Sequence, residues 1–302
     1  MEKLWELSRE YDYTQHDFAK IQKLIYEHAG ISLSSTKQNM VYSRLLRRLH
    51  AHGFSSFNEY LRLLEEGDED EWEAFTNSLT TNLTGFFREE HHFPLLEQHV
   101  LMRENQKNRE KYHFLDSDQH SQQRKNQHKI HLWCSAASTG EEAYSMAMTM
   151  VKAFKTFTPP VHILATDLNS HVLTKAKQGV YSMDKLEKLP KDMLKQFFLK
   201  GEGRNAGLAK VRKELRDLVT FRKLNLLDKE WPVRGPFEAI FCRNIMIYFD
   251  QSTQYQILKK FAPLLASDGL LFAGHSENFH HASNLFKLRS KTVYELAKKE
   301  RE

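Results

Sequence analysis

Leu132-Trp133-Cys134-Ser135-Ala136-Ala137-Ser138-Thr139-Gly140-Glu141-Glu142 is an apolar run that passes through small residues into a segment opening with two acids. The order predicts a strand, a close turn and a helix, the arrangement with which dinucleotide folds bring backbone up against a ligand. In those folds the helix N–H groups face a phosphate. Here Glu141 and Glu142 occupy that place, and their charge would repel a pyrophosphate. They suit a ligand that carries hydroxyls and positive charge, such as S-adenosylmethionine with its ribose, ammonium and sulfonium. The plainer alternative is a helix whose N-terminus carries acids only for its dipole.

Outward from this stretch, strand and helix signals alternate. Strands are expected at Ile130–Cys134, Val161–Thr166, Phe237–Cys242 and Leu270–Ala273, with helices at Glu142–Phe157, Ser170–Gln178 and Thr253–Leu265. Such alternation predicts a parallel sheet covered by helices on both faces. Phe286–Leu288 and Val293–Leu296 flank a short turn and predict an antiparallel edge hairpin. Gly201, Gly203 and Gly207, followed by Leu208–Val211 and Leu218–Phe221, predict a small β excursion grafted on the sheet. Toward the N-terminus, residues 14–82 lack strand alternation and read as short helices punctuated by Gly30, Gly53 and Gly67. Thr14 is placed to cap the first of them, whose stripe is Phe18, Ile21, Leu24 and Ile25. In the next, Tyr42, Leu45, Leu46 and Leu49 share one face, while Lys37, Arg44, Arg47 and Arg48 share the other with no acid between them. That cationic stripe is read as a docking surface for an acidic partner, against plain solvation. Asn105–Lys129, rich in Gln, Asn, His, Lys and Arg, reads as a polar linker or exposed insertion.

Composition sets outer bounds. With 302 residues, 40% hydrophobic and 27% charged, the chain is long enough for two cores. No run has the length of a membrane span, and Met1–Trp5 does not open a signal peptide, so a cytoplasmic protein is expected. Cys134 and Cys242 both fall inside apolar strand candidates, which favours reduced buried thiols over a disulfide or a metal site; no metal is expected. A net charge of +5 is modest, so the placement of basic residues matters more than their sum.

Candidate site residues converge at strand C-terminal ends, where open α/β sheets bind ligands. Asp167 ends the second strand about thirty residues after Gly140, where an acid accepts hydrogen bonds from ribose hydroxyls in nucleoside-binding sheets. Asn225-Leu226 follows Phe221–Leu224, and Arg243-Asn244 follows Phe237–Cys242. Thr80–Arg88 adds polar groups, Phe86, Phe87 and a cation where the helical region meets the sheet region. Each alone reads equally as a strand end or a capped helix.

Thr80–Glu89, Ser135–Glu142, Phe241–Phe249 and Gly269–Asn278 together resemble the CheR-type chemotaxis receptor methyltransferases, the protein-glutamate O-methyltransferases. The likeness runs from about Asp17 to Leu296. It implies an α/β fold: a Rossmann-like S-adenosylmethionine-dependent methyltransferase sheet with an inserted small β subdomain, preceded by an all-α N-terminal domain. The expected divisions are a receptor-docking helical domain at 1–90, a linker helix and polar insertion at 91–129, and a methyltransferase domain at 130–302 whose β subdomain lies at about 200–222. Carried over position by position, cofactor contacts fall on Asn82, Thr84, Arg88, Glu142, Asp167, Asn225, Leu226, Arg243 and Asn244. Arg88 and Tyr248 lie nearest the chemistry, and Arg44, Arg47 and Arg48 face the receptor. The resemblance implies S-adenosyl-L-methionine as cofactor and S-adenosyl-L-homocysteine as product. Its implied partners are the cytoplasmic domains of transmembrane chemoreceptors, with their C-terminal tail peptide held by the loop of Gly201, Gly203 and Gly207. It implies a monomer that is recruited to receptor clusters and inserts in no membrane. The resemblance implies a Pro where this chain has Ala143, and another Arg where His50 ends the basic helix. Two rivals stay in view: a nucleic-acid methyltransferase, suggested by the basic helix and Asn244…Tyr248, and a non-enzymatic receptor-binding module that keeps a nucleoside pocket. The first would need a broader basic surface, and the second would have lost Asp167, Glu142 or Arg88.

Overall fold

The computed structural model describes residues 10–80, 83–115 and 129–297, with residues 107–115 described by their backbone only. The chain divides into a first unit, Met1–Leu83 with Tyr248–Gln254, and a second, Thr84–Ile247 with Tyr255–Glu302.

The first unit is built on α1 (Gln15–Ala29), α2 (Gln38–His52), α3 (Phe57–Glu65) and α4 (Glu69–Leu79). Thr14 and Asp17 form a capping box at the start of α1, and Gly30 and Gly53 end α1 and α2 in the left-handed region at φ 65° and 69°. Phe18, Ile21 and Ile25 of α1 and Val41, Leu45 and Leu49 of α2 are buried. The basic face of α2 is not the unrelieved stripe that its own sequence suggests. Arg48 makes a two-pronged ion pair with Glu71 of α4, with Nε at 2.9 Å, and that buried carboxylate also accepts from Tyr60 Oη at 2.7 Å. Arg44 Nη1 donates to the last carbonyls of α4, Leu79 O at 3.0 Å and Thr80 O at 3.2 Å. Arg47 remains exposed. The partners come from a helix more than twenty residues downstream, beyond the reach of any i, i+4 argument within α2.

The second unit opens with α5 (His92–Leu115). This corrects the reading of Asn105 onward as a linker: the helix runs on through Leu115, because Glu, Gln, Lys and Arg are good helix formers whatever their polarity. Residues 116–128 of the expected insertion lie outside the described residues. There follow β1 (Ile130–Cys134), α6 (Glu141–Phe154), β2 (Val161–Asp167), α7 (Ser170–Gln178), β3 (Val180–Ser182), α8 (Met183–Leu186), α9 (Lys191–Phe197), β4 (Phe198–Lys200), β5 (Leu208–Val211), α10 (Lys213–Arg216), β6 (Val219–Lys223), β7 (Phe237–Cys242), α11 (Gln251–Phe261), β8 (Leu265–Ala273), β9 (Phe286–Ser290) and β10 (Val293–Leu296). The large sheet has the order β6-β2-β1-β7-β8-β10-β9, parallel from β6 to β8 and antiparallel at β10 and β9. Its centre is dry: Leu132, Trp133, Cys134 and every residue of β7 are buried. The expected α/β sheet and its edge hairpin are both present.

The β excursion is smaller at one end and larger at the other than the sequence suggests. Its sheet has the order β3-β5-β4, all antiparallel, so it starts at Val180. Leu218–Phe221 does not belong to it: β6 pairs in parallel with β2, Ala165 opposite Phe221. Three residues of β3 are too few to show an alternation, and the mostly apolar Leu218–Phe221 reads alike in either sheet.

Candidate active site

The strand order reverses between β1 and β7, and ligands in open sheets lie outside the strand C-termini at such a point. The turn after β1 is stitched to both neighbours. Ser135 N–H donates to Phe241 O of β7 at 2.8 Å, and Ala137 N–H to Thr166 O of β2 at 2.8 Å. Ser138 stands in the left-handed region at φ 48°, and its N–H donates to Asp167 Oδ2 at 2.7 Å. The other Asp167 oxygen accepts from Asn169 N–H at 3.0 Å. Beyond β6, Asn225 Oδ1 turns the chain by accepting from Leu227 N–H at 3.0 Å. Leu226 is buried, and its carbonyl accepts from Lys260 Nζ at 2.9 Å. Leu224 N–H donates to Asp167 O at 2.9 Å, so the Asn225-Leu226 segment starts beside Asp167.

The two acids of the helix start take different partners. Glu141 is fully buried and bound by Lys185 at 2.7 Å, so it does not present a charge to a ligand as its position in the sequence suggests. Glu142 accepts from Arg243 Nη1 at 2.8 Å and from Cys134 Sγ at 3.2 Å. Burial pushes its carboxyl upward, against the pull of Arg243. Arg243 is 4% exposed, donates also to Arg88 O at 2.5 Å and lies 3.4 Å from Glu89 Oε2. Asn244, left-handed at φ 59°, donates through Nδ2 to Glu89 Oε1 at 3.2 Å. Beneath it the buried carboxylate of Glu277 accepts from the N–H groups of Asn244 at 3.0 Å, Ile245 at 2.9 Å, Met246 at 2.8 Å and Gly274. Gly274 leaves room there, since a Cβ would stand 2.9 Å from the backbone nitrogen of Asn244 and 2.3 Å from its Nδ2.

Thr84, Arg88, Glu142, Asp167, Asn225, Leu226, Arg243 and Asn244 all belong to the second unit; Thr84 and Arg88 are half-buried on the segment leading to Glu89. Asn82 lies outside the described residues. Tyr248 is grouped with the first unit, its carbonyl accepting from Ser32 N–H at 2.8 Å. Gly201, Gly203 and Gly207 form the hairpin connection between β4 and β5. Residue-by-residue reading missed Glu89 and Glu277, the two carboxylates that fix the Arg243-Asn244 turn, although both lie inside the motifs Thr80–Glu89 and Gly269–Asn278. A search for ligand contacts passes over acids whose partners are the protein's own groups, which are backbone N–H groups for Glu277 and chiefly Arg243, Asn244 and His275 for Glu89. Both cysteines are free and buried. Glu89, His91 and His92 bring ligand atoms within 4.8 Å of one another, but the Arg243 guanidinium beside Glu89 opposes a cation there.

These groups fit a nucleoside with a positively charged tail. Asp167 offers carboxylate acceptors at a strand end, and Ser138 Oγ is buried without a hydrogen-bond partner among the described residues. Two models of known families match: CheR methyltransferase, SAM binding domain, over residues 82–295, and CheR methyltransferase, all-alpha domain, over residues 16–80. The chain belongs to the CheR methyltransferase family. Chemotaxis protein methyltransferase of Escherichia coli (strain K12) is 48% identical over 93% of this chain and 91% of its own. Chemotaxis protein methyltransferase 2 of Pseudomonas aeruginosa is 46% identical over 95% of each. A more distant relative, the chemotaxis protein methyltransferase of Borreliella burgdorferi, is 33% identical over 90% of this chain and 91% of its own. As a CheR methyltransferase this chain uses S-adenosyl-L-methionine. Among the described residues no helix is long and apolar enough to cross a membrane.

Proposed function

We propose that this chain transfers the methyl group of S-adenosylmethionine to glutamate side-chain carboxylates in the cytoplasmic domains of transmembrane chemoreceptors, giving glutamate methyl esters, the chemical step of chemotaxis adaptation. The observation that carries the reading is the Asp167-Ser138 pair at the C-terminal ends of β2 and β1, beside the strand switch point, in a chain whose relatives are chemotaxis methyltransferases along nearly their whole length.

When bound, S-adenosylmethionine supplies a methyl group on a sulfonium. A glutamate with a pKa of about 4.3 is already a carboxylate at neutral pH and needs no general base. Transfer to a carboxylate would leave an ester and a thioether, so charge would be lost toward the transition state and a dry site would favour the reaction. The wholly buried Cys134, Phe241 and Cys242 supply such a floor. Asp167 holds the ribose hydroxyls, with Asn225 and Leu226 beside the base. Glu142 faces the cationic tail, and Arg243, committed to Glu142 and Arg88 O, orients both. Arg88 is assigned to the amino-acid carboxylate of the cofactor. Pairing it with the substrate glutamate would stabilise the reactant more than the charge-depleted transition state. Thr84 and Asn244 complete the contacts, while Asn82 and Tyr248 keep only the roles that the family resemblance implies for them, the first toward the cofactor and the second toward the attacking oxygen or the sulfonium.

Receptor docking falls on exposed Arg47, with Lys37, because Arg44 and Arg48 hold α4. The receptor tail is assigned to the small sheet, where β4 is an edge strand with Leu199 49% exposed and edges recruit extended peptides by main-chain pairing. Such a tether concentrates the enzyme, acting as a monomer on the cytoplasmic side, at receptor clusters. The deciding experiment is radiolabelled methyl transfer to receptor-containing membranes. Label released by mild base as methanol is expected. Base-stable label, or label in nucleic acid, refutes the reading.

A further inference from the structure

The small sheet is bonded to two turns on the cofactor side of the large one. Tyr181, in the middle of β3 and 4% exposed, donates its hydroxyl to Thr139 O at 2.7 Å. Its ring lies edge-on to Phe86, 4.9 Å between centroids, on the segment that joins Thr84 to Arg88. Phe86 also meets Phe198 of β4 edge-on at 5.5 Å. From α8, Lys185 Nζ reaches Glu141 Oε1 at 2.7 Å, while the other oxygen of that fully buried carboxylate accepts from Thr139 Oγ1 at 2.6 Å. Between them Gly140 has φ 97°, and a Cβ there would stand 3.0 Å from Tyr181 Oη and 2.9 Å from Ala176 Cβ. Thr139, Gly140 and Glu141 are therefore each held or confined from β3 and α8.

That grip matters because of the backbone it acts on. Ser138 and Gly140 both stand in the left-handed region, at φ 48° and 97°, and for a residue with a side chain this course persists only where the surroundings over-determine it. The N–H that Ser138 presents to Asp167 is aimed by this turn. A buried Glu141 likewise requires a cation, and Lys185 brings one from the inserted subdomain. We infer that Tyr181 and Lys185 are positioning residues of the S-adenosylmethionine site: acting through Thr139 and Glu141, they hold the Ser138–Gly140 turn in the shape that meets the cofactor. The inserted subdomain is then part of the cofactor site as well as a candidate tether. The inference rests on the reading of Asp167 and its turn as cofactor contacts.

The test titrates S-adenosylhomocysteine by calorimetry into the full-length wild type and the Tyr181→Phe, Lys185→Met, Lys185→Arg and Asp167→Ala variants, with the melting temperature of each unliganded protein measured alongside. Tyr181→Phe and Lys185→Met are each expected to raise Kd by about three- to tenfold, the effect of one lost hydrogen bond transmitted through the turn. Lys185→Arg should restore it, and in steady-state assays KM for S-adenosylmethionine should change more than kcat. Should Lys185→Met fold poorly because Glu141 is left uncompensated, the Glu141→Gln/Lys185→Met double variant removes that charge and is expected to show the same weakened Kd. A lowered melting temperature with wild-type Kd in both single variants, while Asp167→Ala loses affinity, overturns the inference and leaves the cofactor site standing. Wild-type Kd in Asp167→Ala overturns both.

Discussion

Replacing Glu89 with Gln removes one charge from the centre of the brace around Arg243 and Asn244 while keeping an oxygen for the Asn244 amide. Burial disfavours this carboxylate, yet Arg243 at 3.4 Å, with hydrogen bonds from His275 and Asn244, outweighs it and holds the pKa at about 2, against an ordinary value of 4.5. At about 1.4 kcal/mol per pKa unit, the difference corresponds to about 3 kcal/mol of folding free energy. The folded value lies below the unfolded one. This stability is therefore fully present above the unfolded pKa and is lost as pH falls through the folded one, with about half of it remaining at about pH 3. Denaturant unfolding of the methyltransferase domain, followed for wild type and Glu89→Gln at neutral pH and in acid, measures it. The variant is expected to be less stable by about 3 kcal/mol at neutral pH, and the gap should narrow by about half at about pH 3. A gap that is absent at neutral pH, or that does not change with pH, refutes the assignment of Glu89 as the charged anchor of this turn.

Asp167→Ala should weaken S-adenosylmethionine binding by about 1.5–3 kcal/mol, the worth of a charged hydrogen bond, and an unchanged dissociation constant by calorimetry would move the cofactor away from this strand end. Arg47→Glu should raise the receptor KM with cofactor binding intact, whereas Arg48→Glu sets a second acid against buried Glu71 and should destabilise the helical domain by about 3–5 kcal/mol in thermal unfolding. Replacing Gly203 and Gly207, at φ 55° and 83° with open space around each, by Val should strain the β4–β5 connection, remove binding of the receptor tail peptide and spare cofactor affinity. Saturable binding of that peptide by the variant at wild-type affinity would count against the loop. Lys260→Met removes the ammonium that holds Leu226 O at 2.9 Å and Asp228 O at 2.8 Å over the Trp231 ring, and should raise Kd for the cofactor by about tenfold; equal affinity would mean that Leu226 is placed without it.

Much of the methyltransferase sheet was legible because local signals and burial coincide. A strand buried on both faces must be largely apolar, and Ile130–Cys134, apart from exposed His131, and Phe237–Cys242, apart from buried Glu238, are such runs with the expected bounds. The strand end carrying Arg243 follows from Phe237–Cys242, and that carrying Asp167 from the mostly apolar run Val161–Thr166. What misled was polarity taken for irregularity. Asn105–Leu115 is helical although it is polar, and the excursion begins ahead of its glycines because β3, only three residues long, carries no alternation to announce it.

The sequence by itself determined the helical region ahead of an α/β sheet, the order of the main parallel strands β1, β2, β7 and β8, the turn with its two acids and the family, since each depends on residues close together in the chain or on motifs read in order. The tertiary structure alone decided which charges are available to a ligand. Glu141 and Glu142 are neighbours, yet one is buried against Lys185 and the other faces Arg243. Arg44, Arg47 and Arg48 lie within about one turn of helix, yet only Arg47 is left exposed, because the partners of the other two lie on α4. A side chain's type and spacing state what it can bind, but its charge goes to whichever partner the fold brings within a few ångströms, and that partner here comes from a distant part of the chain.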